Sequence, residues 1–201
     1  QIGIQPQLRD FREHAVVRRT RRGDFLGAHA VELAAQRAQH VAREAVHDPL
    51  TGLANRRLFY DRLRQAIRHT HRYGGKVGIL YVDLDRFKQI NDTLGHDHGD
   101  EVLRRVARFL VEGVRREDVV ARWGGEEFAL LLPSTRASDA LRLAERLRQA
   151  LEDLDLGVTA SFGVAEYLPG ESEEALFRRA DQALYRAKER GRNRVEFIPG
   201  G

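Results

Sequence analysis

Apolar and polar positions change period several times along the 201-residue chain, and those changes divide it into elements. Val31, Ala34, Ala38, Val41 and Ala45 recur three and four apart, a heptad seam of small side chains suited to close helix pairing. One amphipathic helix packed on the domain fits the same two heptads. Pro49 and Gly52 then break the pattern at "HDPLTGLANRR". From about Ala54 to Thr70, Leu58, Phe59, Leu63 and Ile67 return at helical spacing. Lys76–Asp85, "KVGILYVDLD", is apolar and β-branched until it ends in two acids, the pattern of a buried strand. Helical spacing resumes at Arg86–Leu94 and Gly99–Val114. "DVVARWGGEEFALLLP" predicts a hairpin closed by Gly124-Gly125, because two-residue loops require positive φ. A helix over Ser138–Glu152, a strand at "GVTASFGVAEY", a helix over Ser172–Glu189 and a short strand near Val195–Ile198 follow. The sum is an α+β domain over residues 46–201, with a central, mostly antiparallel five-stranded sheet flanked by helices. Residues 1–45 read as a connector and a signalling helix.

Charge changes this picture little. The excess of +4 lies mainly before residue 48, where Arg18, Arg19, Arg21 and Arg22 cluster, and residues 48–201 are nearly balanced. A broad surface tracking nucleic-acid phosphates is therefore disfavoured, and the basic run reads as a solvated linker or helix face. The chain has no cysteine, so disulfides and thiolate metal sites are excluded. No stretch approaches the roughly 20 apolar residues of a membrane span, and no signal peptide is legible at the start. The expected location is the cytoplasm, without direct membrane contact by these residues. The absence of methionine suggests a fragment of a longer protein, which could itself be membrane-tethered.

The chemistry gathers around two acidic positions. Asp83 closes the buried strand, and Glu126 and Glu127 stand at the hairpin tip. If the hairpin lies beside that strand, Asp83 and Glu126 converge at one sheet edge. Oxygen ligands there suit Mg²⁺, which takes one or two carboxylates and completes its shell with water and phosphate. Asp85 reads either as part of this edge or as the N-cap of the following helix. Lys88 and Asn91, three apart, share a helix face. Lys88 can meet a phosphate as a point charge, and Asn91 offers a donor and an acceptor. Asp100, placed beyond a Gly95–Gly99 turn, offers a carboxylate to the two adjacent donors on the Watson–Crick edge of guanine, which favours GTP over ATP. Lys188 and Arg192, four apart near Gly191, can clamp a triphosphate, although helix ends favour basic residues anyway.

"DPLTGLANRR", "VDLDRFKQINDTLGHDHGD", "RWGGEEF" and "ADQALYRAKERGRN", in this order over roughly residues 46–198, resemble the GGDEF family of diguanylate cyclases, here with Glu at the third signature position. The resemblance implies a fold like the nucleotidyl cyclase and polymerase palm domains. It also implies condensation of two GTP into cyclic di-GMP with release of two pyrophosphates, by a homodimer. By the same analogy Asp83 and Glu126 hold Mg²⁺, or Mn²⁺ in its place, with help from the Leu84 carbonyl. Glu127 is a second ligand or general base, and Lys88 stabilises the transition state. Asn91 and Asp100 read guanine, and Lys188 and Arg192 bind phosphates. Arg115-x-x-Asp118, with five residues between it and Gly124, matches the family's inhibitory product site, to which Arg146 adds a second guanidinium. Three rivals stand beside this reading: a catalytically silent module that senses GTP or cyclic di-GMP, a palm-type polymerase or nuclease, and a purine cyclase.

Overall fold

The computed structural model describes residues 45–200, together with 32–35 and 37, which are helical. Most of the proposed heptad seam, including Val31, Ala38 and Val41, lies outside the described residues. Residues 44–201 form one compact unit. Its elements run α1 (Arg56–Tyr73), β1 (Val77–Leu84), α2 (Phe87–Leu94), α3 (His96–Glu112), β2 (Val119–Gly124), β3 (Glu127–Pro133), α4 (Ala137–Asp153), β4 (Ala160–Glu166), α5 (Glu173–Glu189) and β5 (Val195–Phe197).

The sheet order is β2-β3-β1-β4-β5. Pairing is antiparallel except between β4 and β5, so the sheet is mixed. All eight residues of central β1 are buried, as expected for a strand covered on both faces. The two-residue period of a strand sorts its side chains into two cores. Leu80, Val82 and Leu84 face α3 and α4, among Val106, Leu110, Ala144 and Leu147. Val77, Ile79 and Tyr81 face α1 and α5, among Phe59, Leu63, Leu176 and Leu184. Asp83 continues that second series and so points to the α5 side. Helix α1 starts at Asn55, whose side chain accepts the Leu58 amide at 3.1 Å, and α5 starts at Ser172, which accepts the Ala175 amide at 3.1 Å.

Two local expectations change. The hairpin loop is Gly125-Glu126, not Gly124-Gly125, since Gly124 already pairs with Glu127. An extra residue, Trp123, bulges out of β2 between Arg122 and Gly124 and moves the turn along by one. Only Gly125 takes positive φ (47°), at the first loop position, where a glycine bears the conformation without steric penalty. Helix α3 also begins three residues early, so Gly99 is buried inside the helix rather than in a turn.

Candidate active site

The register places Asp83 opposite Glu127 of β3 on one side and Ser161 of β4 on the other. The Leu84 amide donates to the Glu126 carbonyl at 3.2 Å. The hairpin therefore lies beside the acid-ended strand, and Asp83, Glu126 and Glu127 meet at one sheet edge. The Leu84 side chain is buried, so only its backbone can serve there. The Lys188 ammonium, from the last turn of α5, sits 2.7 Å from Asp83 Oδ2.

Burial pushes the Asp83 carboxyl up to about 6; Lys188 opposes that shift, and Glu126 and Glu127 reinforce it. Three acids thus share one countercharge at an edge where Asp83 is 7% exposed. Carboxylates and a backbone carbonyl make an all-oxygen donor set short of positive charge, which fits Mg²⁺ or Mn²⁺. Among the described residues no three His, Cys, Asp or Glu side chains form a ready-made metal cluster.

Side chains that the linear reading did not single out build the frame. Tyr81 lies two residues before Asp83 on the same face; burial and the carboxylates of Glu127, Asp181 and Asp83 push its phenol far up, so it remains a neutral hydroxyl beside the acids. The period of β1 was the signal that could have found it. Trp123 stacks on Phe177 with centroids 4.1 Å apart, and the Arg56 guanidinium lies 4.8 Å from its ring centroid, which anchors the root of the hairpin. Arg122 closes the other side. It donates to the Gly125 carbonyl from Nε (3.1 Å) and Nη2 (2.8 Å), and from Nη1 to both Asp48 oxygens at 3.2 Å. Burial alone would raise the Asp48 carboxyl, but hydrogen bonds from Thr51 and the Arg122 charge hold it below the usual carboxylate range.

Asp85 is not a helix cap. The N-cap of α2 is Arg86, in left-handed conformation without a side-chain cap bond. The buried Asp85 carboxylate instead accepts from Thr159 Oγ1 (2.7 Å), Ser161 Oγ (2.7 Å) and the Asn193 amide (3.0 Å), tying the end of β1 to β4 and to the loop after α5. That loop carries Arg192, at φ 65°. Arg192 lines a recess of about 520 Å³ with Asp85, Arg86 and Gln89, while Lys188 is engaged with Asp83. The two expected phosphate cations are therefore not yet brought onto one point.

Helices α2 and α3 pack against each other beside this edge. Lys88 is exposed, and Asn91 and Asp100 are half-buried on the facing ends of that pair. Arg115, Asp118 and Arg146 also come together. They line a separate recess of about 620 Å³ with Asp139 and Arg142. Asp118 accepts the Arg115 amide at 2.9 Å, and Arg146 donates to the Gly113 carbonyl at 2.7 Å.

A family model described as "Diguanylate cyclase, GGDEF domain" matches residues 45–194. The chain belongs to the GGDEF family. DgcP, a diguanylate cyclase of Pseudomonas aeruginosa, is 45% identical over 161 residues, covering 77% of this chain and 24% of DgcP. The response regulator PleD of Caulobacter vibrioides is 40% identical over 202 residues, covering 96% of this chain and 43% of PleD. The chain thus spans less than half the length of either relative. Among solved structures, the coiled coil and GGDEF domain of DgcB from Caulobacter crescentus, in complex with c-di-GMP, superposes with a TM-score of 0.79 at 37% identity. It covers 86% of this chain and 95% of that one. The GGDEF domain of this chain has the expected fold, and no helix among its described residues is long and apolar enough to cross a membrane.

Proposed function

We propose that this GGDEF domain is an active diguanylate cyclase that joins two GTP into cyclic di-GMP. The observation that carries the reading is the meeting of Asp83, Glu126, Glu127 and Lys188 at one sheet edge, next to the helix pair bearing Lys88, Asn91 and Asp100. In each half-reaction the 3′-oxygen of one GTP forms a bond to the α-phosphorus of the other. The bond from that phosphorus to the bridging oxygen breaks, and pyrophosphate leaves; repeating the step closes the ring. When bound, Mg²⁺ supplies countercharge and polarises the phosphoryl group.

The residues of the chain do the positioning. Asp83 and Glu126 hold the cation, and Glu127 is a further ligand or the base that takes the 3′-hydroxyl proton. Lys88, Lys188 and Arg192 neutralise phosphate oxygens, and Asn91 and Asp100 select guanine. Catalysis of this kind rests mainly on alignment and charge compensation. One domain presents one GTP, so the reaction needs two chains face to face, and a paired helix upstream would raise their local concentration. The substrate is thus a mononucleotide, with no role for nucleic acid. Incubation of the purified protein with GTP and Mg²⁺ tests this: cyclic di-GMP and two pyrophosphates are the expected products. A cyclic mononucleotide, or GTP that binds and stays intact, would overturn the reading.

We also assign product inhibition to the recess of Arg115, Asp118 and Arg146, where two guanidinium groups and a carboxylate match the phosphates and guanine edge of the dinucleotide. Bound product there would hold the domains in an unproductive arrangement, a coupling between distinct sites. Arg115→Ala is expected to raise the inhibitory concentration of cyclic di-GMP by about tenfold or more while sparing the initial rate. An inhibition curve unchanged from wild type would contradict the assignment.

A further inference from the structure

Gly99 occupies a position where a helix pays for glycine. It is buried inside α3 as the fourth residue of the helix, where the intrinsic preference of alanine over glycine is about 1 kcal/mol. The reason for glycine lies across the α2–α3 contact. A Cβ built on residue 99 would fall inside van der Waals contact with Asn91 Oδ1, 3.0 Å from Asn91 Cγ and 3.2 Å from Phe87 Cζ. Asn91 is held at the last turn of α2, where its own carbonyl accepts the Gly95 amide at 3.0 Å. Its amide end rests in the space that the missing Cβ leaves open.

From this contact we propose that Gly99 is a positioning residue for base recognition: its bare Cα seats the Asn91 carboxamide beside Asp100, in the orientation that meets the guanine edge. This rests on the reading of Asn91 as a guanine-binding residue. The severest collision is with the free end of a side chain, so a methyl group at residue 99 displaces Asn91 by rotation, while the Phe87 ring has to give by only a few tenths of an ångström. The cost falls on recognition. A misdirected carboxamide leaves a guanine polar group without its partner, and an unmade hydrogen bond of this kind weakens binding by about tenfold or more.

The experiment compares wild type, Gly99→Ala, Asn91→Ala and the double variant, with thermal midpoints and kcat and KM for GTP in Mg²⁺. Gly99→Ala is expected to raise KM about tenfold, with kcat and thermal midpoint changed far less. The double variant should be no worse than Asn91→Ala alone, because both changes remove the same interaction. If Gly99→Ala does unfold the protein, Asn91→Ala should restore its stability by making room for the methyl group, and failure to do so would overturn the proposal. A normal KM in Gly99→Ala, or a loss that adds fully to that of Asn91→Ala, would also overturn it while leaving Asn91 in its role. A normal KM in Asn91→Ala itself would remove the guanine-reading role and the proposal together.

Discussion

Glu126→Gln is expected to lower turnover by on the order of 10³-fold, with folding almost unchanged. The substitution keeps the size of the side chain and its capacity to accept a hydrogen bond, and removes only the negative charge. A ligand carboxylate contributes several kcal/mol to stabilising charge around a transferring phosphoryl group, and each 1.4 kcal/mol or so is tenfold in rate. Stability should move by no more than about 0.5 kcal/mol, because Glu126 is a half-exposed turn residue. Removing its charge also lessens the repulsion that raises the Asp83 carboxyl. Steady-state pyrophosphate release, with thermal melting alongside, separates the two effects. Turnover near that of wild type would remove Glu126 from the site.

Gly163→Ala is expected to do the reverse and act first on stability. Gly163 lies in β4, directly under α5, and a Cβ there would collide with the Ala180 carbonyl oxygen and the Leu184 amide nitrogen, and approach Leu184 Cβ to 2.9 Å. These are mostly backbone atoms of a packed helix, which no rotamer change can move aside. Helix α5 must lift from the sheet, at a cost of about 3 kcal/mol. For a domain of this size that corresponds to a fall in thermal midpoint of about 6–12 °C. Lys188 lies one turn beyond Leu184 on the same helix, so the surviving folded protein should also bind GTP more weakly. A midpoint within a degree or two of wild type would show that the helix has room to spare.

The contrast between Gly99 and Gly163 shows what was legible in the sequence. The alternation of β1 and the spacing of Phe59 and Leu63 are read directly from the chain, because a strand and a helix impose fixed periods on buried positions. The convergence of Asp83 with the hairpin acids is legible only on the condition that the hairpin lies beside β1, a condition that the strand register meets. Gly99 and Gly163 were not legible, because what each makes room for belongs to another helix. Asp85 was open for the same reason. Its partners Thr159, Ser161 and Asn193 are more than 70 residues away, and only the fold brings them to the end of β1. The turn lies one residue further along because of the bulge at Trp123, a residue whose ring stacks on Phe177, 54 positions away in the chain. Helical spacing puts Arg192 with Lys188, yet the helix ends at Glu189 and three successive residues from Gly191 take positive φ, so the period no longer holds there.

A crystal structure of the protein with magnesium and a non-hydrolysable GTP analogue tests the central claim most directly. The expected result is a divalent ion between Asp83 and Glu126, with Lys188 withdrawn from Asp83 onto the triphosphate and guanine between Asn91 and Asp100. An analogue bound elsewhere, with Lys188 still paired to Asp83 and no ion between the acids, would contradict it.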